Sequence, residues 1–180
     1  MKTAVLLSAY NGEAYIREQI DSILRQERDF ELDLWVRDDD STDQTRVILD
    51  EYEKAGKLRW YTGQNIGSAY SFIDLIKHCG EYDFYAFSDQ DDLWMPQKLQ
   101  NGISHIHPLD TAALYVANAE LVDDNLAPLG KRVYKKTLRT DFYTLVCAGG
   151  LLGCTMVFNR YLARYVQEYP WPPKLVMHDF

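Results

Sequence analysis

TAVLLSAYNGEAYIREQIDSIL (Thr3–Leu24) holds the pattern from which the architecture can be read. Its first eight residues form a nearly continuous apolar run, the pattern of a strand buried on both faces. The run ends at Asn11-Gly12, residues suited to a turn. Beyond it, Ile16, Ile20, Ile23 and Leu24 recur at helical spacing and mark one apolar face. A doubly buried strand followed at once by a helix is the first half of a βαβ unit.

The pattern repeats downstream. ELDLWVRD (Glu31–Asp38) reads as a second strand, and Ser41 with Gln44 forms a capping-box pattern opening a helix through Val47, Ile48 and Tyr52. KLRWYTG (Lys57–Gly63) is a third strand and Asn65–Gly67 a turn. Phe72, Ile73 and Ile76 mark a third helix, and DFYAFSD (Asp83–Asp89) is the fourth strand. Short strands separated by helical segments predict a mostly parallel sheet. The second half is less regular. Pro96 sits near the first position of a helix, AALYVANAELVD (Ala112–Asp123) reads as one strand with a polar end, and GCTMVFNR (Gly153–Arg160) as another. YLARYVQEY (Tyr161–Tyr169) is a short helix before the proline-rich PWPPKLVMHDF (Pro170–Phe180).

Composition narrows the function classes. At 180 residues with 47% hydrophobic residues, the chain has length for one domain with a core and is not disordered. A net charge of -8 opposes nucleic-acid binding, which needs Lys and Arg for phosphate contacts. The basic run GKRVYKK (Gly130–Lys136) is read as a solvated loop, with peripheral contact to anionic lipid at the inner membrane face as the alternative. The start lacks the apolar core and cleavage site of a signal peptide. The longest apolar run, Leu145–Phe158, is 14 residues and too short to span a bilayer. A cytoplasmic location is the default expectation. Cys79, Cys147 and Cys154 lack zinc-like spacing and are read as free thiols. The abrupt stop at Phe180 suggests a longer natural chain.

In an open parallel sheet, ligands bind beyond the carboxyl ends of the strands. Three polar clusters fall there: SAYNG (Ser8–Gly12), RDDDSTD (Arg37–Asp43) and SDQDD (Ser88–Asp92). Taken singly, an Asp-rich loop is usually a helix cap or a solvated turn. The third cluster is harder to dismiss, because a strongly apolar strand delivers Asp89, Asp91 and Asp92 to one point. Like charges 4 Å apart repel by about 4 kcal/mol at an effective dielectric near 20, so something positive is expected there. Oxygen-only ligands in an Asp-x-Asp pattern suit Mg²⁺ or Mn²⁺, which bridge one or two carboxylates to substrate phosphates. A P-loop, a G-x-G-x-x-G turn and an EF-hand loop are all missing. His78, His105 and His107 show no ligand spacing and are read as surface or helix-end residues.

With these residues in view, the chain resembles the family 2 inverting glycosyltransferases of GT-A fold, most of all their bacterial rhamnosyltransferase-type branch. The resemblance runs through VLLSAYNGEAYIREQIDSILRQ, VRDDDSTDQT, NIG, FSDQDDLWMPQKL, GCTMVFNR and HDF. It implies a Rossmann-like three-layer α/β/α sandwich forming one catalytic domain over residues 1–180. A nucleotide-sugar part would lie at about 1–100 and an acceptor side at about 101–180. Ser8 and Tyr10 would line the nucleotide pocket, with Asn11 and Gly12 shaping its turn. Asp39 would accept from the pyrimidine N3–H, as an acceptor-only carboxylate can. Asp89 and Asp91 would face the metal and diphosphate, with Asp92 sharing the role, and Asp179 would be the catalytic base. The implied reaction moves rhamnose or another hexose from a dTDP- or UDP-sugar to a glycan or lipid-linked acceptor in cell-surface polysaccharide synthesis. A sugar nucleotidyltransferase, a phosphatase with Asp nucleophiles and a non-catalytic sugar- or metal-binding module are the rival readings.

Overall fold

A computed structural model describes residues 1–123, 126–136 and 150–171. The first half alternates strand and helix as expected: β1 (Lys2–Ala9), α1 (Ile16–Leu24), β2 (Glu31–Asp38), α2 (Thr45–Lys54), β3 (Arg59–Thr62), α3 (Ser68–His78), β4 (Phe84–Ser88) and α4 (Lys98–Ile106). Then come β5 (Leu114–Val116), β6 (Glu120–Val122), β7 (Pro128–Arg132), β8 (Met156–Asn159) and α5 (Arg160–Glu168).

The main sheet has the order β3-β2-β1-β4-β8-β5. β1 pairs in parallel with β2 and β4, and β2 with β3, while β8 runs antiparallel between β4 and β5. Successive strand residues point to opposite faces, and both faces are covered. Val5, Leu7, Phe84, Ala86 and Val157 pack under α1, α2 and α4. Ala4, Leu6, Tyr85, Phe87, Met156 and Phe158 pack under α3 and α5. The result is the three-layer α/β/α sandwich of the GT-A expectation.

Three local readings are corrected. The capping box does not form: Gln44 is the N-cap of α2 without a side-chain cap bond, and Ser41 Oγ instead accepts from Asn11 N at 2.9 Å. The helix entrance is capped by Asp43, which accepts from Thr45 N at 2.9 Å, and by Glu13, which accepts from Gln44 N at 2.8 Å. The groups a capping box would pair are thus taken by others, Gln44 N by Glu13 and Ser41 N by Asp38. Ala112–Asp123 is not one strand: β5 joins the main sheet, and β6 leaves it to form a hairpin with β7. Asn118 makes the break, closing on Tyr134 by Nδ2 to the carbonyl at 2.8 Å and Oδ1 from N at 3.0 Å. In Gly153–Arg160, Gly153–Thr155 forms a 3-10 turn and only Met156–Asn159 is strand. Pro96 lies just before α4, whose N-cap is Gln97. The basic run read as a loop is in part strand: Gly130–Arg132 belongs to β7, and Lys131, Arg132, Lys135 and Lys136 are exposed. Among the described residues, no helix is long and apolar enough to cross a membrane.

The α4–β8 contact is tight enough to test. A Cβ on Gly102 would meet Val157 Cγ2 at 2.8 Å, Val157 Cβ at 2.9 Å and Tyr115 Cδ1 at 3.2 Å. The branched Val157 is fixed in the middle of the sheet and cannot swing away. Gly102→Ala is therefore expected to lower stability by about 1–2 kcal/mol through overpacking, despite the better helix propensity of Ala. A urea denaturation midpoint unchanged from wild type would show that the helix simply shifts.

Candidate functional site

The order β3-β2-β1-β4 reverses direction beside β1, so the loops after β1 and β4 part at a topological switch point. A cleft of about 390 Å³ opens there, lined by Ser8, Tyr10, Asp39, Asn65, Gly67, Ser68, Asp89, Gln90 and Asp91. Five residues singled out from the sequence thus share one cavity: Ser8, Tyr10, Asp39, Asp89 and Asp91.

The acid triplet after β2 is divided by strand alternation. Asp38, fully buried, accepts from Arg46 Nε at 2.6 Å, Thr62 Oγ1 at 3.0 Å and Ser41 N. Asp39, on the opposite face and 3% exposed, accepts from Arg37, from Ile66 N at 3.0 Å and from Gly67 N at 2.9 Å. Asp40 takes a left-handed φ of 71° and turns outward to Arg46. Arg37 is the hub behind Asp39. Its buried guanidinium also donates to Asp74 Oδ2 at 3.0 Å and to the Gln64 carbonyl at 3.0 Å. Gly63 leaves room for it, since a Cβ there would lie 2.5 Å from Arg37 Nη2. Burial and the Asp74 carboxylate push the Tyr61 phenol up, so it stays a hydrogen-bond donor to Asp74 at 2.9 Å.

Two loops meet through Gln90. Its Oε1 accepts from Tyr10 N at 2.9 Å and its Nε2 donates to Tyr10 O at 3.0 Å. The amide lies over Gly12, where a Cβ would come within 2.3 Å of Oε1. Asn11 is at φ 47° and directs its side chain away from the cleft lining, Oδ1 accepting from Thr42 N at 2.8 Å. It ties the β1 loop to the β2 loop. Ser8 Oγ donates to Ser71 Oγ at 2.7 Å, joining β1 to α3.

The acids after β4 are also sorted. Asp89 and Asp92 converge with Cys154, each offering a ligand atom within 4.8 Å of the others, while Asp91 is exposed on the cleft wall. Burial and the two acids push the Cys154 thiol up, and it donates to Asp92 as a neutral group. Carboxylate oxygens are therefore the donors offered to a hard cation such as Mg²⁺ or Mn²⁺, and their chemistry fits one.

A polar stripe on α1 anchors this loop, and reading the sequence missed it. In the amide orientation that satisfies its neighbours, buried Gln19 accepts from Ser88 Oγ at 2.6 Å and Trp94 Nε1 at 3.2 Å and donates to the Asp92 carbonyl. Ser22 Oγ accepts from Trp94 N at 3.1 Å, and Gln26 donates to the Met95 carbonyl at 2.8 Å. The signal was present: Gln19 and Ser22 share the helical face of Ile16, Ile20 and Ile23, and Gln26 follows just past the helix end, where a buried polar group needs a partner. Asp179 lies outside the described residues, as do His178 and Cys147. Cys79 is a buried free thiol. His78 and His105 are exposed at helix ends, and His107 caps α4.

Residues 4–166 match the family model described as Glycosyl transferase family 2. The chain belongs to glycosyl transferase family 2. This glycosyltransferase domain is 33% identical over 170 residues to the dTDP-rhamnosyl transferase RfbG of Shigella flexneri, covering 86% of this chain and 54% of that protein. It is 28% identical over 159 residues to the UDP-Glc:alpha-D-GlcNAc-diphosphoundecaprenol beta-1,3-glucosyltransferase WfgD of Escherichia coli, covering 88% of this chain and 60% of that protein. The chain thus spans a little over half the length of these relatives. Among solved structures, S. aureus TarS 1-349 in complex with UDP-GlcNAc aligns with a TM-score of 0.66 at 24% identity, covering 89% of this chain and 46% of that one. The mannosyltransferase PcManGT from Pyrobaculum calidifontis, in complex with GDP-Man and Mn²⁺, aligns at 0.58 and 19% identity, over 88% of this chain and 44% of that one. Both likenesses establish the glycosyltransferase fold.

Proposed function

We propose that this chain binds a dTDP- or UDP-sugar in the switch-point cleft and belongs to a metal-dependent inverting glycosyltransferase. That enzyme would transfer rhamnose or another hexose to a glycan or lipid-linked acceptor in bacterial cell-surface polysaccharide synthesis. The observation that carries the reading is the convergence of Ser8, Tyr10 and Asp39 with Asp89 and Asp91 on one cavity. Two relatives, a dTDP-rhamnosyl transferase and a UDP-Glc-dependent glucosyltransferase, supply the donor classes. Residues at about 1–100 would hold the donor and those at about 101–180 the acceptor side.

Tyr10 and Ser8 would flank the nucleoside. Asp39 already accepts three hydrogen bonds, and a carboxylate has about four acceptor positions, so one remains for a pyrimidine N3–H. Asp89, Asp91 and Asp92 would hold a divalent cation, which supplies Lewis-acid polarisation of the diphosphate oxygens. Asp179 would take the acceptor hydroxyl proton as that oxygen attacks the anomeric carbon from the far face.

Calorimetric titration with UDP, dTDP and GDP, with and without Mn²⁺, tests the donor site. UDP or dTDP is expected to bind more tightly with Mn²⁺, and Asp89→Asn to remove the Mn²⁺-dependent part while leaving the metal-free affinity. Equal Mn²⁺ enhancement in wild type and variant would return these acids to the status of a capped turn.

A further inference from the structure

Two convergent carboxylates, Asp89 and Asp92, with Asp91 on the cleft wall, call for a positive partner, and part of it is built into the chain. Lys98 opens α4 with its side chain half-buried. Its Nζ sits 3.6 Å from the centroid of the Trp94 ring and donates to the Cys154 carbonyl. Both partners are themselves fixed. Trp94 is 5% exposed and held by Gln19 and Ser22 of α1. Cys154 belongs to the 3-10 turn before β8, and its thiol lies within 4.8 Å of the ligand oxygens of Asp89 and Asp92.

The cost of this placement is visible. Burial draws the ammonium down to about 8, and Asp92 and Asp89 work against that shift. A half-buried lysine on an aromatic platform is poorly explained by packing, since an apolar chain of similar length would pack there without losing hydration. Besides the bond to the Cys154 carbonyl, what the ammonium supplies, and a methionine would not, is a positive charge at the turn whose thiol meets Asp89 and Asp92.

We infer that Lys98 is a resident counter-cation of the Asp89–Asp92 cluster, which offsets the repulsion between the two carboxylates before a metal binds and thereby limits how tightly they hold one. The inference rests on the reading of these acids as the metal-holding group. Lys98 is a positioning residue in this scheme: it acts on the carboxylates, through charge, and touches neither donor nor acceptor.

The test needs no substrate. Mn²⁺ binding to the nucleotide-free protein is measured by electron paramagnetic resonance, and thermal unfolding is followed with and without Mn²⁺. Lys98→Met is expected to bind Mn²⁺ about 10-fold more tightly, because one like charge beside a divalent ion has been removed. Its metal-free form is expected to melt lower than wild type, with a larger rise on adding Mn²⁺. Lys98→Arg keeps the charge and should stay within about 2-fold of wild-type affinity. Lys98→Gln, neutral and polar, gives the same comparison should methionine disturb the packing on Trp94. Wild type that binds Mn²⁺ while both neutral variants bind it equally or more weakly overturns the inference alone. Absence of Mn²⁺ binding in wild type and variants alike overturns the metal reading, and the inference with it.

Discussion

Asp179→Asn is expected to slow sugar transfer by about 10²–10⁴-fold, the usual contribution of a positioned proton transfer. Nucleotide affinity should remain within about 2-fold of wild type, since the residue is assigned to the acceptor hydroxyl and not to the donor. An amide is nearly isosteric with a carboxylate, so the exchange removes the proton acceptor and little else. No large pKa shift is required of the base, because the hydroxyl proton can move late, as the bond to the anomeric carbon forms. Single-turnover transfer and calorimetric UDP or dTDP affinity, measured side by side, check both halves. Transfer within a few-fold of wild type would place the base elsewhere, with His178 the next residue to exchange.

Arg37→Met carries the largest expected effect on stability, a loss of about 3–5 kcal/mol. Arg37 is 3% exposed and joins Asp39, Asp74 and the Gln64 carbonyl. Its removal strands the Asp39 charge in a buried position, which costs far more than the pair itself is worth. Native domains have only about 5–15 kcal/mol to lose, so the melting temperature should fall by roughly 6–20 °C for a chain of this size. Guanidinium denaturation of Arg37→Met, Asp39→Asn and the double variant forms a cycle. The double variant is expected to be more stable than Arg37→Met alone, because the stranded charge is gone. A loss below about 1 kcal/mol for Arg37→Met would mean that water enters and solvates Asp39. The same variant should weaken UDP binding, since Asp39 also fixes the Ile66–Gly67 backbone that borders the cleft.

Why one acid carries so much while its neighbours do not could not be read from the sequence. In Asp38-Asp39-Asp40 the three side chains are chemically identical, and only the alternation of β2 sends Asp38 toward α2 and Asp39 toward α3. The partners, Arg46 and Arg37, were in view but unassigned. The SDQDD loop behaves similarly. A reading by spacing favours Asp89 with Asp91, whereas the fold brings Asp89 beside Asp92 and leaves Asp91 on the cleft wall.

Neighbouring residues were enough to read the alternating first half, the placement of the polar clusters at strand ends, and the family. Those features are local: apolar period, turn residues and motif order are written in neighbouring positions and do not depend on how distant segments dock. Long-range docking sets the antiparallel insertion of β8 between β4 and β5 and the division of Ala112–Asp123 between two sheets. The same docking brought Cys154 to Asp89 and Asp92 and set its carbonyl on the Lys98 ammonium, 56 residues away in sequence. Such choices are made by burial and by hydrogen-bond partners available across the assembled sheet. Their energies belong to pairs of segments, and no single stretch of chain encodes them.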